Sequence, residues 1–91
     1  MDQDQPLTLN YDEQADVLYV SLGPPREAYC VEPEEGILLR VDPDSGVLVG
    51  FTILHFQRRL QEGDVFASRI PLIPADLVPR VVSEWRLQHA A

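Results

Sequence analysis

A regular alternation of apolar and polar residues along the first two thirds of the chain constrains the fold more than any other feature. A period of two places every second side chain on the same face of a strand, so the pattern is typical of a sheet with one buried face. Gly50, the only breaker inside the last run, predicts a bulge or a close backbone approach. The sequence predicts an antiparallel β-meander of four to five strands, at residues 7–11, 17–22, 28–31, 37–41 and 47–56.

The end of the chain changes to a helical period. A spacing of i, i+3, i+4 and i+7 predicts a helix near residues 76–89, with Pro79 in its first turn, where a missing N–H costs nothing. The residues at that spacing are Val78, Val81, Val82 and Trp85. The predicted class is therefore α+β, with the C-terminal helix packed on the sheet or on a dimer partner.

Two shorter segments lie between the sheet and this helix. Residues 57–62 lack β-branched side chains and precede Gly63, which predicts a helical turn with a glycine stop. Residues 65–70 are predicted as a further strand. Residues 61–91 thus form a C-terminal extension of the sheet within a single domain that spans residues 1–91.

The size of the chain predicts a thin core. The 91 residues are 45% apolar and 24% charged, an ordinary composition for one globular domain. A chain of this length buries only about 60–65% of its unfolded surface. We therefore expect a homodimer, in which Trp85 and the valines of residues 78–82 are buried anchors.

Charge is distributed unevenly along the chain. The net charge is −8, all seven bases are Arg, and residues 1–44 hold eleven acids against two arginines. Such an acidic half argues against nucleic acid as a partner and favours either solubility alone or a small basic protein. Glu32, Glu34 and Glu35 form an acidic cluster that could dock such a partner, although a solvated turn is the simpler explanation, because exposed charges rarely carry large interaction energy.

Arg58, Arg59 and Arg69 make up the one basic grouping. They could contact nucleic acid or an acidic surface. The simpler hypothesis pairs them with the acidic half, within the chain or across a dimer. A DNA-binding role would require an arginine-rich face.

Residues typical of metal, cofactor and catalytic sites are sparse. The single Cys30 cannot close an intrachain disulfide and supplies too few ligands for zinc; among strand formers it is predicted to be a small buried hydrophobe. A reduced, cytoplasmic setting follows, and the polar first residues are unlike a secretory signal. The order Asp42-x-Asp44-x-Gly46 fails as a calcium loop, because the sixth and twelfth positions hold Val47 and Ile53. We predict no metal, cofactor or catalytic residue. His55 is expected on the strand face of Ile53, either as a partly buried histidine or as an edge residue.

Asp12 and Asp16 flank the first turn and allow two interpretations. Paired carboxylates can share a proton or hold a metal, which would make this end of the sheet a small-molecule site or a weakly hydrolytic one. The alternative is that each aspartate hydrogen-bonds the local backbone of the turn. The absence of a base near them in the sequence favours the turn.

The order of residues from 7 to 60 resembles a bacterial family known as domain of unknown function 2283. The resemblance rests on Tyr11-Asp12-x-x-x-Asp16-x-Leu18-Tyr19, Glu34-Glu35-Gly36-Ile37, residues 42–46, Leu48-Val49-Gly50, Ile53-Leu54 and Arg58-Arg59-Leu60. It implies a small antiparallel sheet with a short helical end. Members often lie beside small toxin-like genes, which implies an antitoxin-like role.

This chain departs from the family pattern in two respects. The family usually carries acids at the positions of Thr52 and near His55, so a carboxylate site on that strand would be missing here. Residues 61–91 lie beyond the resemblance. The leading hypothesis is a non-catalytic protein–protein interaction module. Its candidate partner-binding residues are Glu32, Glu34, Glu35, Arg58, Arg59 and Trp85.

Overall fold

The computed structural model describes residues 7–24 and 26–89. Five strands are followed by a short helix, a single 3₁₀ turn and a longer helix. The elements are β1 (Leu7–Asp12), β2 (Val17–Leu22), β3 (Tyr29–Glu34), β4 (Ile37–Val41), β5 (Leu48–Leu54), α1 (Phe56–Glu62), the 3₁₀ turn (Phe66–Arg69) and α2 (Leu77–Gln88). The α+β class and the antiparallel sheet are confirmed, and so is the helix at the end of the chain.

The strands form one antiparallel sheet in the order β1-β2-β5-β4-β3. A simple meander would pair each strand with the next, but β2 pairs with β5 and β3 lies at the far edge. The side chains explain this order. β5 is almost entirely buried and suits the centre, whereas β3 is largely exposed and contains Pro33, which belongs at an edge.

Gly50 marks an irregularity between β4 and β5, as its sequence predicts. The pairing shifts by one residue between Arg40–Gly50 and Val41–Leu48. The guanidinium of Arg40 lies across Gly50 and donates to the Val20 carbonyl at 3.0 Å. A Cβ atom at Gly50 would lie 2.5 Å from that carbonyl oxygen, so the strands approach here only because a side chain is missing.

One face of the sheet carries the core, and α2 covers part of it. Val81 of α2 is 1% exposed and Leu77 is also buried, while Val78, Val82 and Trp85 are half-buried against the same cluster. The helix therefore packs on the sheet of its own chain. The sheet residues of the core cluster come from three central strands, mostly at alternating positions: Leu18, Val20, Ile37, Leu39, Val41, Leu48, Phe51 and Ile53.

Three local expectations are wrong. Residues 65–70 are not a strand: the 3₁₀ turn Phe66–Arg69 occupies most of the segment and buries Phe66. Cys30 is exposed, since it faces away from the core on the edge strand. His55 is also exposed and adopts a left-handed conformation (φ 57°), which ends β5 and begins α1.

No helix within residues 7–24 and 26–89 is both long and apolar enough to span a membrane.

Candidate interaction site

Both acidic turns lie at the same end of the sheet. The antiparallel order brings the β1–β2 turn, the β3–β4 turn and the junction of β5 with α1 together there. We call this region the acidic end. Its eight carboxylates and three guanidinium groups are those of Asp12, Glu13, Asp16, Glu32, Glu34, Glu35, Glu62, Asp64, Arg58, Arg59 and Arg69.

Asp12 forms the β1–β2 turn. Its Oδ1 accepts the backbone N–H groups of Gln14 at 3.1 Å and Ala15 at 3.2 Å. This is the local hydrogen bonding that aspartate offers a turn. The turn interpretation is confirmed for Asp12.

Asp16, in contrast, caps the N-terminus of α1. It adopts a left-handed conformation (φ 58°), and its carboxylate accepts the backbone N–H groups of Gln57 at 2.8 Å and Arg58 at 3.2 Å. The residue that precedes α1, His55, makes no side-chain cap of its own. Orphan N–H groups at a helix start favour a carboxylate acceptor, so a turn 41 residues earlier supplies the missing cap.

Tyr11 completes the environment of Asp16. Its hydroxyl donates to Asp16 Oδ1 at 2.6 Å. Burial alone would raise the pKa of Asp16, but the hydrogen bonds from Tyr11, Gln57 and Arg58 outweigh it and lower that pKa. Burial, together with the hydrogen bond to the Asp16 anion, raises the pKa of Tyr11 to about 12.

At the β3–β4 turn the carboxylates are paired with arginines. Arg69 donates to both carboxylate oxygens of Glu34, at 3.1 and 2.6 Å, and to Asp64 at 2.9 Å. Arg59 donates to the other oxygen of Asp64 at 2.7 Å and lies 3.8 Å from Glu34. These four side chains, the arginine–carboxylate network, join β3, α1 and the 3₁₀ turn. The hypothesis that the arginines pair with the acidic half is confirmed for Arg59 and Arg69.

Arg59 is the more deeply placed of the two arginines. Its side chain is 15% exposed, against 47% for Arg69. It also donates to the carbonyl oxygens of Leu54 at 2.8 Å and Glu35 at 2.9 Å. Gly36 (φ 86°) permits this approach, because a Cβ there would lie 2.5 Å from the guanidinium.

The network keeps its carboxylates ionised. The hydrogen bonds from Arg69 lower the pKa of Glu34 against a small effect of burial. Burial would raise the pKa of Asp64, but the two arginines lower it overall. Asp12, Glu13, Glu32 and Glu35 carry no ion pair among the described residues, so negative charge remains at the acidic end.

An aromatic cluster lies beside the β1–β2 turn. The Tyr11 ring meets the rings of Trp85 and His89 edge to face, with centroids 5.5 and 5.3 Å away. Trp85 and His89 stack at 5.5 Å, and the buried Phe56 packs beneath Tyr11 and Trp85. The C-terminal helix therefore brings its aromatic residues to the acidic end.

The six predicted partner-binding residues all lie at or beside the acidic end, but they are engaged differently. Glu34 and Arg59 are paired within the network, Arg58 pairs with Glu62 at 3.4 Å, and Glu32 accepts the N–H of Gly36. Glu35 exposes its carboxylate and Trp85 lies in the aromatic cluster. Their binding role stays a prediction.

The sequence did not single out Glu13 or His89, and it missed Asp16 as a cap. The only local signal for that cap is that His55, an unsuitable capping residue, precedes α1. Among residues 7–24 and 26–89 no group of three or more histidine, cysteine, aspartate or glutamate side chains is arranged to hold a metal ion.

Comparison with known proteins places the sheet and the start of α1 in one family. No curated protein and no solved structure matches the chain. A family described as protein of unknown function (DUF2283) matches residues 9–57, which include most of β1, all of the other four strands and the aspartate that caps α1. This chain, a five-stranded antiparallel sheet with both acidic turns at one end, belongs to the DUF2283 family.

Proposed function

We propose that this protein is a non-catalytic, cytoplasmic protein–protein interaction module whose acidic end docks a basic protein partner. The observation that carries the proposal is the gathering of eight carboxylates against three arginines at one end of the sheet. The arginine–carboxylate network neutralises part of this charge. The exposed carboxylates of Asp12, Glu13 and Glu35 keep the rest available.

The state of the two turn aspartates supports binding over hydrolysis. Asp12 and Asp16 direct their oxygens at backbone N–H groups. The pKa of Asp16 is lowered rather than raised toward neutrality, so its carboxylate is a weak general base. Both groups therefore serve the fold and present negative charge.

The negative electrostatic potential of the acidic end favours a positively charged partner. A concentration of negative charge repels phosphate backbones and attracts basic proteins, whose association it also accelerates. The antitoxin-like role that the family resemblance implies is one specific form of this proposal, with a small basic toxin as the partner.

The test compares two variants of equal net charge. One, Glu13→Gln with Glu35→Gln, removes two charges from the acidic end; the matched control, Glu27→Gln with Asp44→Asn, removes two from exposed sites on the opposite half of the sheet. Each tagged protein is used for quantitative affinity capture from its native cells. We expect a basic protein in fixed ratio with the wild type and the control, and a loss of about tenfold or more with the acidic-end variant.

Recovery of no basic protein with the wild type, or an equal loss in both variants, would contradict the proposal. Light scattering on the purified chain tests the expected homodimer in the same preparation, as a mass twice 10.3 kDa.

A further inference from the structure

A small cavity opens between the β1–β2 turn and the C-terminal end of α2. It measures about 340 Å³ and is lined by Tyr11, Glu13, Gln57, Trp85 and His89. This volume is at the lower end of the range for ligand pockets, about 300–1,000 Å³, and suits one side chain better than a cofactor. We call it the aromatic pocket.

The aromatic walls of the pocket stand at right angles. The plane of Tyr11 makes angles of 84° with Trp85 and 80° with His89, whereas Trp85 and His89 are within 26° of parallel. Tyrosine and tryptophan rings attract cations through their π-electrons, and tryptophan is the strongest of the aromatic side chains in this interaction.

The polar residues that line the pocket also favour a positively charged ligand group that donates hydrogen bonds. Glu13 is exposed and has no ion pair among the described residues. His89 Nδ1 lies 3.0 Å from the Trp85 carbonyl oxygen, which can only accept, so Nδ1 donates to it. The two carboxylate oxygens of Glu13 are thus acceptors for a group with several N–H donors.

The indole N–H group of Trp85 reduces the stability of the fold. Its Nε1 is buried and has no hydrogen-bond partner among the described residues, a penalty that an apolar ring at the same place would avoid. The unpaired indole N–H is therefore a feature that packing alone does not explain.

On the basis of the proposed function, we propose that the aromatic pocket receives an arginine side chain of the basic partner. The guanidinium would stack on the corner formed by Tyr11 and Trp85 and donate to Glu13. Arginine fits better than lysine because its planar fork can stack on a ring and reach two acceptors at once.

The test uses Trp85 as a reporter, since it is the only tryptophan in the chain. The indole N–H resonance is followed by NMR while a short capped peptide with two arginines separated by glycine is added. We expect a saturable shift. The same peptide with citrulline, which is neutral and nearly isosteric, should leave the resonance unmoved.

Two single-charge variants locate the site. Glu13→Gln should raise the midpoint of the titration about threefold, while Glu27→Gln, on the opposite half of the sheet, should not change it. Both residues are exposed, so neither change threatens the fold. The proposal would be overturned if the citrulline peptide shifted the indole N–H resonance equally, or if the two variants had the same titration midpoint.

The two proposals fail in different ways. A wild-type protein that captures a basic partner through its acidic end, yet shows no shift of Trp85 with the arginine peptide, overturns the pocket and leaves the interaction module standing. A saturable, Glu13-dependent shift supports the pocket even if affinity capture overturns the proposed partner.

Discussion

The two acidic turns at one end of the sheet both use carboxylate groups, but the groups have different hydrogen-bond partners in the two turns. In the β1–β2 turn the carboxylates of Asp12 and Asp16 accept backbone N–H groups. In the β3–β4 turn Glu34 is held by arginine guanidinium groups. Backbone dipoles fix a carboxylate in place without cancelling its charge, whereas an ion pair cancels most of it. The first turn therefore retains the charge of its two aspartates, whereas in the second turn ion pairs neutralise most of the charge of Glu34 and join parts of the fold.

The two turns also differ in what they hold together. Asp16 joins β1, through Tyr11, to the start of α1. The arginine–carboxylate network joins the end of β3 to α1 and to the 3₁₀ turn. Helix α1 is thus held from two sides by different interactions, and its stability reports on both.

The largest expected effect comes from the first turn. Asp16→Ala removes the cap of α1 and places alanine in a left-handed conformation. We expect a loss of about 2–4 kcal/mol in the free energy of unfolding, measured by urea denaturation. The loss combines the hydrogen bonds that the carboxylate accepts from the N–H groups of α1 with the strain of an alanine in the left-handed conformation. Asp16→Asn, which tolerates this backbone and can still accept, should lose less than half as much. Equal losses for the two variants would show that the cap does not matter.

A similar change beside the second turn tests Arg59 of α1, the less exposed arginine of the network. Arg59→Met leaves the carbonyl oxygens of Leu54 and Glu35 without their donor. The expected loss is about 2–3 kcal/mol by the same measurement. Arg59→Lys should recover less than half of it, because an ammonium cannot reproduce the planar fork. Arg69→Met should cost less than Arg59→Met, since Arg69 is far more exposed; the reverse order would contradict the network described above.

Acid should weaken both turns. The folded-state pKa values of Asp16, Glu34 and Asp64 are lowered below their ordinary values. Their stabilisation is therefore present above the unfolded-state pKa values of about 4 and is lost as pH falls through the lower folded-state values. Unfolding curves between pH 6 and about pH 2 should show this decline, and Glu34→Gln with Asp64→Asn should flatten it. If the free energy of unfolding of that variant fell with pH as steeply as in the wild type, Glu34 and Asp64 would not be responsible for the decline.

The smallest effect is spectroscopic. The pKa of Tyr11 is raised to about 12, so its tyrosinate absorbance should appear only in strong alkali. The linked stability is present below pH 10 and is lost as pH rises toward 12. Tyr11→Phe should remove this last step of the titration. A step that persists in the variant would belong to another tyrosine and would break the link between Tyr11 and Asp16.

Much of the fold could be predicted, because a period of two and turn residues act over a few positions. The strand positions, the bulge at Gly50 and the helix near residues 76–89 all follow from such local patterns. The errors have physical causes too. The exposure of Cys30 depends on β3 lying at an edge, and the left-handed His55 depends on the docking of α1. Neither is a property of a short segment.

The candidate site was predicted only in part. Acidity at residues 32–35 and the arginines were visible in the sequence, but their pairing was a choice among alternatives. The pocket residues Glu13 and His89 carry no local signal, because one lies in a turn and the other follows a helix 76 positions later. Only the fold places them around the same cavity as Tyr11 and Trp85.

By itself the sequence determined the alternation that buries one face of the sheet, the turns that separate the strands and the excess of negative charge. Tertiary structure alone decided that β5 inserts between β2 and β4, and that this order brings both acidic turns to one end. It also decided that Asp16 caps a helix 41 residues away. The reason is physical: hydrophobic periodicity acts along a few residues, whereas strand order, capping at a distance and the addition of charges depend on which surfaces the whole core brings together.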